Sequence, residues 1–482
     1  MDPKIRVDNT PRLVSLKRMR TGELGYWWRA LGGPPPPRPP LPGPTQADVA
    51  IVGAGYTGLW TAYYLKRARP QLEIVMLEAE HAGFGASARN GGWVSGFFSG
   101  PARVYERSAG RERGAGHAAY AALQRAMFDT VDEIASVVRE HEIEADFVKA
   151  GALTVALGDA QALRLRGELA RARAHGLGVE DLRELTPDEL RSRVHVAGAL
   201  TATFSPHVAR VQPAKLLAGL AATVERLGVR IYERTPVSAI RPHEALTPAG
   251  GVRARWVVRA TEGYTASLTG LRRALVPINS SMIVTQPLAP AVWRQIGWEG
   301  HEVLADDAHV FVYLQRTEDG RIAIGGRGVP YRFGSRTDGP GETPGSTVAS
   351  LRARLAAMFP AAADAELDHA WSGVLGVARD WCVSVDADPQ SGLAWAGGYV
   401  GEGVAAANLA GRTLCELLLE RPSTLTTLPW VGRRPRRWEP EPLRWATIRA
   451  VYSLYRHADR VERRTRRASR LAALVDAASG RT

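Results

Sequence analysis

A glycine-rich turn between a strand and a helix constrains the fold of this chain more than any other stretch. The stretch reads VAIVGAGYTGLW, and its glycines have the spacing GxGxxG: Gly53, Gly55 and Gly58. The apolar residues 48–52 predict a strand before the turn, residues 57–69 predict a helix after it, and residues 72–77 predict a second strand. The pattern therefore predicts a strand–helix–strand unit over residues 47–78.

The three glycines and a later acid are typical of a dinucleotide-binding turn. The first glycine allows the tight turn, the second lets a pyrophosphate approach the backbone, and the third lets the helix pack closely on the strand. Glu78 ends the second predicted strand, where a carboxylate can accept hydrogen bonds from ribose hydroxyls. The alternative interpretation is a glycine-rich turn in an unrelated α/β domain.

The charge of the chain is concentrated at its two ends. The net charge is +13, and residues 1–45 hold eight Lys and Arg against three acids, while residues 431–482 hold fourteen Arg against five acids. The segment between them is nearly neutral, so we expect no nucleic-acid partner. Two cysteines and the lack of a long apolar run predict a cytoplasmic protein without disulfides, signal peptide or transmembrane segment.

Two further glycine-rich segments and one small-residue strand end indicate a ligand larger than one nucleotide. GFGASARNGGWVSG covers residues 83–96, VVRATEGYT covers 257–265, and GGYVGEGVAAANLAG covers 397–411. A nicotinamide enzyme needs only one nucleotide-binding unit and has no use for such additions. No second GxGxxG unit follows, and neither the eleven histidines nor the cysteines form a metal-ligand pattern, so no metal is predicted.

In these segments the chain resembles the D-amino-acid-oxidase-like FAD-dependent oxidoreductases, whose members include glycine oxidase, sarcosine oxidase and γ-glutamylputrescine oxidase. The resemblance covers roughly residues 46–425, with the matching stretches in the same order and spacing. It implies FAD as the cofactor and the following cofactor-binding residues: Gly53, Gly55, Tyr56, Thr57, Gly58, Glu78, Gly85, Ala86, Ser87, Arg89, Asn90, Gly91, Gly92, Trp93, Val237, Ala260, Thr261, Gly401, Gly403 and Val404. RDWCVSV, around Cys382, does not match a flavin-attachment motif, so we expect non-covalent FAD.

The resemblance also implies the fold class: an α/β protein with a Rossmann-type FAD-binding domain built from discontinuous segments, and a substrate domain on a mixed, largely antiparallel sheet. A basic N-terminal segment and proline-rich spacer precede both domains, and a basic helical tail follows them. The N-terminal segment with its spacer is expected over residues 1–45 and the tail over 426–482. The FAD domain is expected to combine residues 46–105, 196–268 and 371–425. The substrate domain is expected to combine residues 106–195 and 269–370. An apolar stripe predicts that the tail packs as helices: Leu443, Ile448, Val451 and Leu454.

The activity implied by the resemblance is oxidation of a C–N bond in an amine or amino acid, with O2 as electron acceptor. Arg327 is the residue that could align with the cation near the flavin in sarcosine-oxidase relatives; Tyr313, in FVYLQRTEDGRIAIGGRG, and Arg379 are the candidates for orienting substrate. A structural salt bridge is the alternative role for either arginine. Two other functions stay open: a dehydrogenase with another electron acceptor, and a flavoprotein with a binding or assembly role through its basic tail.

Overall fold

The computed structural model describes residues 24–109, 114–337 and 343–479. Twelve α-helices lie within these residues: α1 (Tyr26–Arg29), α2 (Tyr56–Ala68), α3 (Ala102–Ser108), α4 (Ala115–Glu140), α5 (Asp159–Ala174), α6 (Pro187–Arg193), α7 (Pro213–Arg226), α8 (Pro290–Ile296), α9 (Gly345–Met358), α10 (Gly403–Leu418), α11 (Leu443–Thr465) and α12 (Arg470–Ser479).

The same residues contain eighteen β-strands: β1 (Thr45–Val52), β2 (Ile74–Leu77), β3 (Trp93–Ser95), β4 (Ala152–Ala156), β5 (Arg183–Leu185), β6 (Thr201–Ser205), β7 (Val208–Arg210), β8 (Arg230–Tyr232), β9 (Ala239–Arg241), β10 (Glu244–Thr247), β11 (Gly250–Arg259), β12 (Val276–Thr285), β13 (Val303–Asp306), β14 (Val312–Arg316), β15 (Ile322–Gly326), β16 (Leu367–Val377), β17 (Ser384–Asp388) and β18 (Leu393–Gly397). The predicted strand–helix–strand unit is confirmed as β1, α2 and β2.

The first sheet is the parallel core of a Rossmann-type domain. Its strand order is β17-β18-β11-β1-β2-β8, with β10 paired to β11 and β9 paired to β10. β1 pairs in parallel with both β2 and β11. Because the sheet is covered on both faces, the end of β1 is apolar throughout: Val49 and Ile51 join one core cluster, while Ala50 and Val52 join another.

The second sheet is mixed and largely antiparallel, as predicted. Its order is β16-β12-β15-β14-β13-β4-β6-β5, and only the β13–β4 pair is parallel. The hairpin β14–β15 turns at residues 317–320, and β12 pairs with β16 over nearly its whole length. The α/β fold class is therefore confirmed.

Two strands pair across the domain boundaries that the sequence predicts. β6 falls in the range 196–268, which we assigned to the FAD domain, but it hydrogen-bonds to β4 across Ala152–Ala156 in the second sheet. β16 continues past residue 370 and stays paired with β12 up to Val377. The sheet to which a strand belongs is decided by partner strands that lie far away in sequence, so the local pattern does not reveal these two pairings.

The tail packs on the protein as helices, and only part of the predicted stripe is covered: Ile448 is buried and Val451 is half-buried. In α11, Ile448 and Tyr455 are buried, whereas Leu443 is 61% exposed and Leu454 is 37% exposed. The buried face also contains polar side chains that pair with the second domain, such as Asp459 and Glu462. Within the described ranges, no helix is both long enough and apolar enough to cross a membrane.

Candidate functional site

The GxGxxG turn is packed so closely that side chains are excluded from it. Gly53 has a φ of 106°, and a β-carbon added there would lie 2.6 Å from the carbonyl oxygen of Ala260 at the end of β11. A β-carbon at Gly55 would lie 2.8 Å from the hydroxyl oxygen of Ser87, and one at Gly58 would collide with the carbonyl of Gly53. The turn therefore brings the carboxyl ends of β1 and β11 to one point, where the first of the other glycine-rich segments also arrives.

Glu78 lies beside this turn with hydrogen-bonding capacity to spare. One carboxylate oxygen accepts the N–H of Ala54 at 2.9 Å, and the other accepts the N–H of Glu80 at 3.1 Å. Burial raises the pKa of Glu78, although these two hydrogen bonds oppose the shift. The backbone of Glu78 also accepts the N–H of Thr235, which brings Val237, two residues on, near the same strand end. Each oxygen keeps a lone pair for a ribose hydroxyl.

Tyr56 and Thr57 are the first two residues of α2. Their backbone faces the candidate site, while their side chains make hydrogen bonds to other parts of the protein. The hydroxyl of Tyr56 donates to the carbonyl of Pro213, and the hydroxyl of Thr57 lies 3.0 Å from that of Tyr399. The N–H of Tyr56 donates to the hydroxyl of Ser87 at 2.9 Å. The start of α2 is thereby fixed to the loop after β2 and to the segment before α10.

The loop from Gly85 to Trp93 lies between the two sheets. It begins with a 3₁₀ turn at Ala86–Ala88, and the side-chain amide of Asn90 donates to the carbonyl of Ser87 at 2.7 Å. The guanidinium of Arg89 donates to the carbonyls of Phe84 and Ser372. The side chains of Arg89 and Asn90 therefore stabilise the conformation of this loop.

The glycines of this loop are explained in part by protein packing. A β-carbon at Gly91 would lie 2.7 Å from the ring of Tyr313, and one at Gly92 would collide with the side-chain amide of Gln315. Tyr313 and Gln315 face the same loop from β14, as the alternation of side chains along a strand predicts. The sequence analysis attributed the missing side chains to the cofactor alone; the second sheet requires them as well.

The two later segments meet at the buried carboxylate of Glu262, which is not among the predicted cofactor-binding residues. Ala260 and Thr261 follow directly after β11. The carboxylate of Glu262 then accepts backbone N–H groups of Gly376, Gly398 and Tyr399 at 2.9–3.2 Å. Burial raises the pKa of Glu262 to about 7, against the opposing effect of these donors. Glu262 thus anchors the loop that leads into α10.

That loop continues through Gly401 to the start of α10 at Gly403 and Val404. Gly401 is exposed with a φ of 120°, and Glu402 precedes the helix without capping it through its side chain. The first turn of α10 therefore keeps backbone N–H groups and the positive end of a helix dipole. These features suit the anionic edge of a reduced flavin.

A polar cluster formed by Ser280, Tyr313, Arg327 and Glu402 lies where the second sheet meets this loop. The hydroxyls of Ser280 and Tyr313 are 2.9 Å apart, and one Arg327 nitrogen, Nη2, lies 3.4 Å from the carbonyl oxygen of Val400. Among the residues that the structure describes, the other nitrogen, Nη1, is buried without a hydrogen-bond partner. Burial raises the pKa of Glu402, opposed by a hydrogen bond from Ser95 and by the charge of Arg327. The sequence analysis missed Glu402, although its place inside GGYVGEG was a usable signal.

Arg379 is engaged in an ion pair, which is the alternative role that the sequence left open for it. Its Nε donates to both carboxylate oxygens of Glu439, at 2.9 and 3.2 Å, and its guanidinium stacks over the ring of Trp438. Both partners belong to the tail, so Arg379 forms a structural ion pair. Cys382 is fully buried, and burial raises the pKa of its thiol to about 12.

Two groups of residues bring potential metal ligands together, which the scattered histidines did not predict. They are Glu106 with His117 and His175, and His309 with Asp459 and Glu462. In the second group, Arg164 donates to both carboxylate oxygens of Glu462, so a cation is already supplied by the protein.

The residues around these segments fit FAD. Gly53 and Gly55 of the GxGxxG turn are partly exposed, Glu78 keeps free lone pairs, and α10 presents an uncapped N-terminus. The buried, unpartnered Nη1 of Arg327 adds a hydrogen-bond donor beside that N-terminus. The donor set therefore matches an anionic, dinucleotide-type cofactor, and the polar cluster lies beside donors that would hold it.

Comparisons with known proteins agree with this assignment. The model of the FAD-dependent oxidoreductase family (DAO) matches residues 48–417. The chain is 29% identical over 398 residues to gamma-glutamylputrescine oxidoreductase of Escherichia coli (strain K12), covering 79% of this chain and 86% of that protein. It is similar in structure to glycine oxidase from Geobacillus kaustophilus, with a TM-score of 0.67 and 21% identity over 81% of this chain and all of that one.

A second solved structure, L-proline dehydrogenase from P. horikoshii, has a TM-score of 0.63 at 18% identity, covering 80% of this chain and 98% of that one. Taken with the family match over residues 48–417, these likenesses identify the chain as a member of the FAD-dependent oxidoreductase (DAO) family, an enzyme related to amine and amino-acid oxidases with FAD as its implied cofactor.

Proposed function

We propose that this enzyme oxidises the C–N bond of an amine or amino acid to an imine, which then hydrolyses, and that O2 accepts the electrons to give H2O2. FAD, when bound, supplies the hydride acceptor. The observation that carries the proposal is the polar cluster, because it places a cation, a phenol and a carboxylate beside the start of α10. Bound without a covalent link, the cofactor is expected to be released by acid or heat.

Arg327 is proposed to act on the flavin or on oxygen. Within the described part of the chain its buried Nη1 has no acceptor, so a guanidinium N–H is available to a negatively charged group in the site. A fixed cation stabilises developing negative charge best where water is excluded. Arg327 therefore suits the step in which O2 acquires charge.

Tyr313 and Glu402 are proposed to orient the substrate. Tyr313 is held by Ser280 and by the edge of Trp93, with ring centroids 6.4 Å apart, so its phenol has a fixed direction. The carboxylate of Glu402 can accept an N–H of the substrate amine. Glu402 would then hold the nitrogen whose neighbouring carbon is oxidised.

A panel of amines and amino acids tests the proposal, with each compound assayed in parallel for peroxide formation and for dye reduction. Peroxide and dye signals with the same substrate support an amine oxidase. Dye reduction without peroxide would favour the dehydrogenase alternative, which has support from the structural likeness to L-proline dehydrogenase. The binding or assembly role concerns the basic tail, in which the acids Glu439 and Glu462 already pair with arginines of the same chain.

A further inference from the structure

A short N-terminal strap, residues 24–41, precedes the part of the chain that matches the family model. We define the strap by its two buried ends, Leu24 and Leu41. It contains α1, in which Tyr26, Trp27 and Trp28 are no more than 4% exposed. So much buried aromatic surface in four residues indicates that the strap is an integral part of the fold.

Trp27 donates from its indole Nε1 to the carbonyl of Asn90 at 2.7 Å. The carbonyl of Arg89, the residue before Asn90, accepts the indole N–H of Trp371 at 2.9 Å. The carbonyl of Gly91, the residue after Asn90, accepts an N–H of the Gln315 side-chain amide at 2.6 Å. Three consecutive carbonyls of the glycine-rich loop are thus held by side chains of three separate elements: the strap, β16 and β14.

The arrangement fixes the orientation of the loop's peptide groups. A peptide plane is rigid, so holding a carbonyl on one side also fixes the direction of the N–H on the other. The neighbouring N–H of Val211 donates to the carbonyl of Gly92 at 2.8 Å, which extends the series to four carbonyls. A loop rich in glycine has large conformational freedom to lose, and these bonds restrict it before any ligand binds.

Trp27 is itself held in place at several points of the strap. The side-chain amide of Gln212 donates to the carbonyl of Trp27 at 2.9 Å, and the imidazole Nε2 of His369 lies 2.8 Å from the carbonyl of Leu24. Further along the strap, Arg38 forms ion pairs with Glu225 at 2.6 Å and Glu233 at 2.9 Å. The strap therefore joins both domains and delivers one indole N–H to the loop.

We propose that the N-terminal strap is a component of the cofactor site, and that Trp27 is a positioning residue that holds the 89–92 loop in its FAD-binding shape. The proposal concerns FAD binding alone and is independent of the substrate. It assigns a role to a segment that lies before the family match and that the sequence indicated only as a spacer.

A pair of matched substitutions tests the proposal: Trp27→Phe and Trp28→Phe. Both residues are nearly completely buried in α1 and lose the same atoms, but the indole N–H of Trp28 has no hydrogen-bond partner among the described residues. FAD affinity is measured by titrating flavin-free protein and following the quenching of flavin fluorescence. The free energy of unfolding of the flavin-free protein is measured alongside.

Trp27→Phe should weaken FAD binding roughly 3- to 10-fold, the range for one lost hydrogen bond, while Trp28→Phe should leave it within about twofold. Amide hydrogen exchange around residues 89–92 should rise in the flavin-free Trp27→Phe protein only. Gln212→Met, which releases the carbonyl of Trp27 and keeps the indole, should weaken FAD binding in the same direction. Equal FAD affinity in Trp27→Phe and Trp28→Phe would overturn the proposal. If Trp27→Phe does not fold, an unchanged FAD affinity in Gln212→Met would overturn it.

Discussion

Glu262 occupies a backbone conformation that residues other than glycine rarely adopt, with a φ of 40°. The conformation lets its carboxylate turn inward to three backbone N–H groups of β16 and the loop before α10. Arg259 lies close enough to favour the charged carboxylate, while burial lowers the pKa of Arg259 itself to about 10. Glu262 therefore combines an unusual backbone with a carboxylate that ionises near neutral pH.

This carboxylate predicts a specific pH dependence of stability. Its pKa in the folded protein, about 7, is above the ordinary value of 4.5, so the folded state holds its proton more tightly than the unfolded state. The contribution to stability is fully present below pH 4.5 and is lost as pH rises through 7, by about 3 kcal/mol. In Glu262→Gln that loss should disappear, as measured by denaturant unfolding at pH 5 and pH 8. Glu80→Gln, at an exposed carboxyl, is the control, and an identical pH slope in both variants would contradict the assignment.

Arg327 supports a second prediction at the same scale. Arg327→Met should leave FAD bound but slow the reoxidation of reduced flavin by O2, by roughly 100-fold if the guanidinium acts as an electrostatic donor. Flavin reduction by substrate should slow less. Arg332→Met, in a surface pocket with Phe333 and Trp445, is the matched control. Unchanged rates in both half-reactions would remove Arg327 from the site.

At the scale of elements, the carboxylate of Glu462 is one of the groups that attach α11 to the second domain. Glu462 accepts hydrogen bonds from Arg164 at 2.8 and 3.0 Å, from His309 at 3.0 Å, and from the backbone of Ser469 at 2.9 Å. Burial opposes ionisation, but the bonds from His309 and Arg164 outweigh it and lower the pKa of Glu462 to about 2. The tail therefore depends on an ionised, nearly buried group.

Glu462→Gln should lower the free energy of unfolding by about 3 kcal/mol at pH 7. Because the folded pKa is below the ordinary value of 4.5, this contribution is complete above pH 4.5 and is lost as pH falls towards 2. Denaturant unfolding at pH 7 and pH 3 should show a difference between wild type and variant that shrinks in acid. Glu420→Gln, which breaks an exposed pair with Arg255, should cost less than about 1 kcal/mol. A Glu462→Gln loss equally small would mean that α11 is held by its apolar contacts.

At the scale of the molecule, the sequence was informative where function is encoded by local pattern. The GxGxxG turn, Glu78 and the β14–β15 hairpin could be predicted because spacing, turn residues and alternation act over a few positions. Arg379 could not be assigned in this way, because its partner Glu439 lies sixty residues away and only the folded tail brings them together. Trp27 is a comparable case, since its acceptor is a backbone carbonyl, which leaves no trace in residue type.

The two-domain arrangement also explains why the site lies where it does. The first sheet ends at the GxGxxG turn, the second sheet presses β14 against Gly91 and Gly92, and the polar cluster forms where both meet the start of α10. A cofactor held by the first domain would thus present its reactive end to side chains of the second. The chemistry proposed for the protein depends on that juxtaposition.

Anaerobic mixing of the FAD-loaded protein with amines and amino acids, followed by the visible absorbance of the flavin, tests the central claim most directly. We predict that at least one primary or secondary amine bleaches the flavin within the enzyme's turnover time, and that admitting O2 restores the absorbance with formation of peroxide. Full bleaching by dithionite, with no bleaching by any amine or amino acid in the panel, would contradict the claim that this site oxidises C–N bonds.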